Sequence, residues 1–211
     1  DGFFIFEQPY WVSMMNSKKI DQIYHEHITY FTLKFSDWIL RQNGMYIHDY
    51  EITEYHGGSL KVIAKKINKT FKKNKIKISN AIKKESKIGI FKKNYYKKIN
   101  NFLFLKKKKF LKTIKNYKKK NYCIVGIGAA AKANTFLNYV GLDNKIVDFM
   151  TDASKYKIGK YTPKTRIQIR PDNKISKISG NIVAIVLSWN ISDILEKKLK
   201  KLNSKLKFIY F

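Results

Sequence analysis

Hydrophobic and polar positions along the chain predict a first group of elements before residue 65. Residues 2–6 form a short continuous apolar run, which is typical of a buried strand. Thr32 is a suitable N-cap for a helix that ends near residue 43. Residues 46–53 and 59–64 then read as two strands, joined by a loop with two glycines. The predicted order is strand, helix, antiparallel hairpin.

The next stretch, residues 65–120, has a helical and mostly polar pattern. Five apolar residues can share one helix face, which would bury a stripe and leave the lysines in water: Ile99, Leu103, Phe110, Ile114 and Tyr117. The pattern therefore predicts one or two connecting helices.

Residues 121–211 begin a new series in which strands alternate with helices. Apolar runs predict strands over 122–125, 145–150, 182–187 and 207–211. Helices are expected after the glycine turn that starts at residue 126, and over 192–202. Alternation of this kind predicts a parallel α/β sheet with a Rossmann-like order, and no internal repeat is present.

The net charge of +29 is concentrated in the middle of the chain. Residues 1–64 carry −3, residues 65–120 carry +22 and residues 121–211 carry +10. Arginine, which nucleic-acid readers use for bidentate contacts, occurs only three times. The abundance of Lys, Ile, Asn, Phe and Tyr, which all have A/T-rich codons, favours a compositional bias, with solvated lysines, over nucleic-acid binding. A lysine-rich polyanion-binding module remains an alternative.

Composition also indicates in which cellular compartment the protein is expected. No apolar run approaches the roughly 18–20 residues that cross a bilayer, and no signal peptide is visible, so no membrane association is expected. The single cysteine, Cys123, lies in an apolar run and cannot form an internal disulfide, which favours a cytoplasmic location. Because the sequence begins with Asp, we expect it to be a piece of a longer protein.

A glycine turn, Gly126-x-Gly128-x-x-Ala131, follows a predicted strand and opens a helix. With Asp148 expected to end the next strand, this is the context of a dinucleotide site and permits an NAD-dependent oxidoreductase. Lys132, Asn134 and Thr135 lie in the first turns of the helix, where they could meet a phosphate. A purely structural turn is the third possibility.

The stretch Tyr24-His25-Glu26-His27 contains half of the four histidines. In an extended segment His25 and His27 would share one face, and such a pair could bind zinc. His48 and His56 do not join it at ligand spacing, however, and no metal site is predicted. A histidine is also a suitable base near neutral pH, and ordinary packing is the alternative.

Four stretches together resemble one family, the S-adenosylmethionine-dependent C-methyltransferases that act on nucleotide-linked keto-sugars. These stretches are Glu7-x-Pro-Tyr10, Tyr24-His-Glu-His-x-x-Tyr-Phe31, His56-Gly-Gly-Ser-Leu60, and Gly126-x-Gly-Ala-Ala-Ala-Lys-Ala-Asn-Thr-x-x-Asn138, which Lys157-x-Gly-Lys-Tyr-x-Pro163 follows. Their order and spacing agree with the family across nearly the whole chain.

The resemblance implies a fold and domain boundaries. Residues 1–64 would be the last third of a class I methyltransferase domain, residues 65–120 a lysine-rich helical connector, and residues 121–211 the C-terminal α/β domain. The family's cysteine-rich zinc region and Gly-rich cofactor loop are absent from this sequence. Zinc is therefore expected only in a missing N-terminal region, and the chain alone is expected to be inactive.

The resemblance also implies roles for residues. His27 would remove a proton beside the ketone of a 4-keto-deoxysugar, Tyr24 would hydrogen-bond the enolate oxygen, and Glu26 would orient the group. Lys132 and Asn134 would hold the nucleotide. The loop residues Gly57, Gly58 and Ser59 would approach the substrate, and S-adenosylmethionine would donate the methyl group.

Overall fold

The structure is a computed structural model that describes residues 2–18, 20–68 and 76–211. Contacts divide the chain into two compact units. The first comprises Asp1–Ile20 and His25–Phe102, and the second comprises Asp21–Tyr24 and Leu103–Phe211. The predicted α/β class is confirmed for both, and each unit is built around its own sheet.

The sheet of the first unit has three antiparallel strands in the order β1-β3-β2. These are β1 (Phe4–Pro9), β2 (Met45–Thr53) and β3 (Ser59–Lys66). The alternating buried residues Leu60, Val62 and Ala64 make β3 the central strand, and the predicted hairpin of β2 and β3 is confirmed.

The expectation that the first strand is buried and ends before Glu7 is wrong. β1 continues to Pro9, and Phe4 and Ile5 are 50% and 56% exposed. The reason is the position of the strand: among the described residues β1 is an edge strand whose one partner is β3, from Phe4 opposite Ala64 to Pro9 opposite Ser59. Pro9 fits there because an edge strand tolerates the loss of one amide donor.

In the described part of the chain, four α-helices precede the second sheet: α1 (Trp11–Ser17), α2 (Leu33–Gln42), α3 (Ile76–Ile88) and α4 (Lys93–Lys119). The predicted cap of α2 is confirmed, since the Thr32 hydroxyl accepts a hydrogen bond from Phe35 N at 3.0 Å. The apolar stripe of α4 is buried at Ile99, Leu103, Phe110 and Ile114. α3 and the first residues of α4 belong to the first unit. Residues 69–75 of the predicted connector lie outside the described residues.

The sheet of the second unit is parallel, with strand order β6-β5-β4-β7-β8. Its strands are β4 (Cys123–Ile127), β5 (Phe149–Thr151), β6 (Ile169–Arg170), β7 (Ile182–Val186) and β8 (Lys207–Ile209). Helix α5 (Ala131–Val140) packs in one apolar layer, and α6 (Ser192–Leu202) packs in the other. This is the doubly wound, Rossmann-like arrangement that the sequence predicts.

The predicted second strand of this unit, over 145–150, begins too early. Residues 144–148 form turns and irregular backbone, and β5 starts only at Phe149. Asp148 therefore lies before the strand, where its carboxylate accepts a hydrogen bond from Ile124 N at 2.7 Å and pairs with Lys118 at 3.2 Å. A side chain at this end of a parallel strand is far from the carboxyl edge, where ligands of such sheets bind.

Candidate functional site

The stretch Tyr24–His27 lies in a turn rather than in a strand. A 3-10 turn over Ile20–Gln22 precedes it, and a bend at Tyr24 leads into a turn at His25 and Glu26. The extended arrangement that would place both histidines on one face is therefore not formed. His25 and Glu26 are exposed, whereas Tyr24 and His27 are half-buried, and Tyr24 belongs to the second unit.

His27 lies against an aromatic support in the first unit. Its ring meets the Tyr30 ring edge-on, with centroids 6.2 Å apart and planes at 88°. Tyr30 in turn contacts Trp11, with ring centroids 4.9 Å apart. Edge-to-face and tilted contacts at these distances are favourable, so they restrict the imidazole while part of it stays accessible.

The Glu7-x-Pro-Tyr10 stretch connects the end of β1 to its neighbours. The Thr53 hydroxyl donates to Glu7 at 2.6 Å, and Tyr10 N donates to the Gly58 carbonyl at 3.0 Å. The Tyr10 hydroxyl donates to Glu85 at 2.9 Å. Burial raises the pKa of Tyr10 far above its ordinary value, and the Glu85 carboxylate raises it further, so this phenol stays protonated.

The hairpin loop is closely packed at two of its predicted site residues. Gly58 has φ of +121°, and a Cβ there would lie 2.6 Å from the Ser13 Oγ of α1. Ser59 is buried and its hydroxyl donates to the Tyr55 carbonyl at 3.0 Å. Close packing against α1 thus explains the glycine at position 58, and contact of Gly57, Gly58 and Ser59 with substrate stays a prediction.

Gly58→Ala is expected to lower the free energy of unfolding by about 2–4 kcal/mol, since it adds both a clash and an unfavourable φ. Gly44→Ala is the matched control, because Gly44 also has positive φ (+67°) but open space around it. Its cost should be about 1 kcal/mol. Urea denaturation of the two variants measures the difference, and equal losses would contradict the packing argument.

In the second unit, the glycine turn after β4 already uses two of its amides. Gly128 N donates to the Thr151 carbonyl at 2.9 Å, and Ala129 N donates to the Asp152 carboxylate at 2.9 Å. Gly128 has φ of +85°, and a Cβ there would lie 2.9 Å from the Ser188 Cβ. A protein carboxylate therefore occupies an amide that a dinucleotide phosphate would use, which disfavours the NAD hypothesis.

Asp152 is a residue that sequence reasoning missed. It follows β5 directly, and its carboxylate also accepts from Ser154 N at 2.8 Å and pairs with Lys157 at 3.4 Å. The sequence held a signal, because an acidic residue stands two positions after the apolar run that ends at residue 150. With the strand predicted over 145–150, the candidate acidic residue is Asp148 instead.

Lys132 and Asn134 lie near the start of α5, as the sequence predicts, at the carboxyl edge of the sheet. The Lys132 ammonium lies 4.6 Å above the centre of the Trp189 ring. The Trp189 indole N–H donates to the buried Asp21 carboxylate at 2.6 Å, within the same unit. The Asn134 Oδ1 is buried and has no hydrogen-bond partner among the described residues. An acceptor of this kind suits a ligand donor.

Two further properties concern the described part of the chain only. Within it, no group of three or more His, Cys, Asp and Glu side chains could hold a metal ion. Nor does any helix there have the length and apolar character needed to span a bilayer.

The fold and motifs agree with a known family of transferases. The family described as "C-methyltransferase C-terminal domain" matches residues 54–211, more than half of the chain. The chain belongs to this family, which confirms the resemblance seen in its motifs.

A curated relative extends the similarity beyond that domain. The chain is similar to C-methyltransferase NovU of Streptomyces niveus, with 24% identity over 211 residues. The alignment covers 99% of this chain and 50% of the relative, so the chain spans about half the length of the curated relative that it matches. Neither comparison favours an oxidoreductase or a polyanion-binding module.

Proposed function

We propose that this chain is part of an S-adenosylmethionine-dependent C-methyltransferase that acts on a nucleotide-linked 4-keto-deoxysugar. The observation that carries the proposal is the family match over 54–211, together with the alignment of the whole chain to a C-methyltransferase. The Tyr24-to-Phe31 motif lies inside that alignment and supplies the groups that carbon methylation requires.

In the proposed reaction His27 acts as the general base. The imidazole takes the proton from the carbon beside the ketone, and the C–H electron pair moves to form an enolate. The Tyr24 hydroxyl donates a hydrogen bond to the developing oxyanion. Glu26, in the turn before His27, orients the side chains of the Tyr24–His27 stretch. The imidazolium then returns its proton to water, so that His27 is regenerated.

S-adenosylmethionine would supply the methyl carbon. The new C–C bond would form from the enolate as the sulfonium C–S bond breaks, with its electron pair left on the sulfur of the departing S-adenosylhomocysteine. The described residues of the first unit do not form a strand-turn-glycine-helix loop of the kind that holds this donor. We therefore propose that the donor site belongs to a region that corresponds to the half of the relative to which this chain does not align. Two features of β1 support this: its Phe4 and Ile5 side chains are exposed, and one of its edges pairs with no other strand among the described residues, so it could receive a further strand.

The nucleotide is proposed to bind in the second unit, at Lys132 and Asn134. Lys132 offers a cation to the diphosphate near the start of α5. The buried Asn134 oxygen offers an acceptor to a donor group of the ligand. The proposed partner is thus a small nucleotide-sugar rather than a nucleic acid or a membrane.

The test uses the complete natural protein that contains this chain. S-adenosylmethionine with a ¹³C methyl group is incubated with a panel of nucleoside-diphosphate 4-keto-6-deoxysugars, and products are read by NMR. We expect label on a ring carbon adjacent to the ketone. Transfer to oxygen or nitrogen, or no transfer to any member of the panel, would reject the proposed function.

The 211-residue chain alone is expected to bind S-adenosylmethionine weakly or not at all, because its described residues lack the donor loop. Isothermal titration calorimetry measures this, with the complete protein as the positive control. Micromolar binding by the chain alone would show that the donor site lies within it.

A further inference from the structure

The lysine-rich stretch over 65–120 contains a single acidic residue, Glu85, and this residue is buried. Glu85 lies on α3 and is only 2% exposed. Its Oε1 accepts hydrogen bonds from Leu33 N at 2.6 Å and from the Tyr10 hydroxyl at 2.9 Å. Its Oε2 accepts from Lys34 N at 2.9 Å. All of these residues belong to the first unit.

The donors explain how a carboxylate is tolerated at this depth. The first amides of a helix have no acceptor within the helix, and they form the positive end of its dipole. Thr32 accepts from the amide of Phe35, while Glu85 accepts from those of Leu33 and Lys34. Together they satisfy the first three amides of α2, with Glu85 acting from a different helix.

Glu85 thereby contacts two chain segments that lie next to the end of the Tyr24-to-Phe31 motif. One is Tyr10, which directly follows β1, and the other is the start of α2 at Leu33. Between these contacts lies Phe31, which pairs with Tyr10 in a parallel bridge and accepts a hydrogen bond from Trp11 N at 2.8 Å. Residues 28–31 are thus attached at their C-terminal end to a point that Glu85 fixes.

The aromatic support of His27 is attached to the same frame. The Trp11 indole N–H donates to the Tyr96 hydroxyl at 2.8 Å, and that hydroxyl donates to the Ile90 carbonyl at 2.6 Å. Trp11 contacts Tyr30, and Tyr30 contacts His27. Since Trp11 directly follows Tyr10, a displacement of Tyr10 would move this support as well.

We propose that Glu85 is a positioning residue for His27, an inference that rests on the proposed role of His27 as the base. Glu85 does not touch the reacting atoms. It fixes the start of α2 and the end of the Glu7-to-Tyr10 stretch, and so sets the path of residues 27–32. Proton abstraction needs the base within hydrogen-bond reach of the carbon-bound hydrogen, so a small displacement slows the step without weakening nucleotide binding.

The test compares Glu85→Gln with Glu196→Gln in the complete protein. Glutamine keeps the size of the side chain but has no negative charge. It also replaces one of the two accepting oxygens with an NH₂ group, which cannot accept a hydrogen bond from the Tyr10 hydroxyl or from the amides of Leu33 and Lys34. For Glu85→Gln we expect kcat to fall about tenfold, with KM for the nucleotide-sugar unchanged within about twofold. Exchange of the sugar's α-proton with deuterated water should fall in parallel. Glu196, on α6 of the second unit, is the control for loss of one acidic charge, and its variant should keep parental kinetics.

Two further measurements separate positioning from simple loss of fold. Glu85→Asp restores the negative charge and should recover part of the kcat. Hydrogen exchange, read by mass spectrometry at a temperature where all variants stay folded, should speed up at residues 28–34 in Glu85→Gln but not in Glu196→Gln. Parental kcat in Glu85→Gln, or parallel changes of kcat and KM, would overturn the proposal.

If Glu85→Gln does not accumulate, Tyr10→Phe takes its place, because it removes one donor and leaves the carboxylate. A fall in kcat of about two- to threefold with unchanged KM is expected, and an unchanged kcat would count against positioning. If the parent protein transfers no methyl group, the proposed function fails. The backbone hydrogen exchange, read by mass spectrometry, then still decides whether Glu85 holds residues 28–34 in place.

Discussion

His27→Asn is expected to lower methyl transfer by about 100- to 10,000-fold, the usual contribution of a general base. The affinity for the nucleotide-sugar should stay within a few fold, because the proposed nucleotide contacts are elsewhere, at Lys132 and Asn134. Asparagine preserves much of the side-chain volume but cannot accept the proton.

Matched variants of the neighbouring residues sharpen this result. Tyr24→Phe should slow the reaction less, because it removes a hydrogen bond and not the proton acceptor. His25→Asn should have the smallest effect, because His25 is exposed and has no proposed role in the reaction. It is the control for the loss of an imidazole from the same turn. Exchange of the sugar's α-proton with deuterated water, followed by NMR, isolates the base-dependent step. Near-parental exchange in His27→Asn would exclude His27 as the base.

Cys123 is expected to titrate about two pH units above an ordinary thiol. Burial raises its pKa from an ordinary value of 9.0 to about 11, and the nearby Asp148 carboxylate adds to the rise. The acid dissociation constant is thus expected to fall about 100-fold. Because Cys123 is the only cysteine, ¹³C-labelling of cysteine yields one Cβ signal to follow by NMR. The folded chain should show no step near pH 9, whereas the chain in urea should.

The same shift has a consequence for stability in alkaline solution. Below pH 9 the thiol is protonated in both states and its favourable burial is retained in full. Between about pH 9 and 11 the unfolded chain loses this proton more readily than the folded chain does, so the free energy of unfolding falls as pH rises. Cys123→Ser should reduce this pH dependence. A titration step near pH 9 in the folded chain would contradict both statements.

Elements with local signals could be predicted from the sequence. Thr32 indicates the start of α2, because a hydroxyl side chain that precedes an apolar helical pattern can accept a hydrogen bond from a backbone amide in the first turn of that helix. The hairpin of β2 and β3 follows from two apolar stretches around a glycine loop, and the parallel sheet follows from alternation of strands and helices. The family itself was identified from short motifs whose order and spacing are independent of any packing detail.

Features that depend on tertiary contacts could not be predicted in this way. Apolarity alone suggested that β1 is buried, because a sequence does not reveal which strand lies at the edge of its sheet. Asp152 was missed through an error of a few residues in the bounds of β5. Glu85 gave no signal at all, since a lone acid among lysines looks solvated until α3 is seen to place it against the start of α2.

The burial of Glu85 has a genetic consequence. A glutamate codon becomes a lysine codon when G is replaced by A at its first position, a change that a composition rich in Lys, Ile and Asn favours. On an exposed helix face such a mutation would be nearly silent. At position 85 it would bring an ammonium group to the positive end of α2, opposite two amide donors and a phenol. In a segment with 23 lysines, this is therefore a site where the prevailing direction of mutation is deleterious.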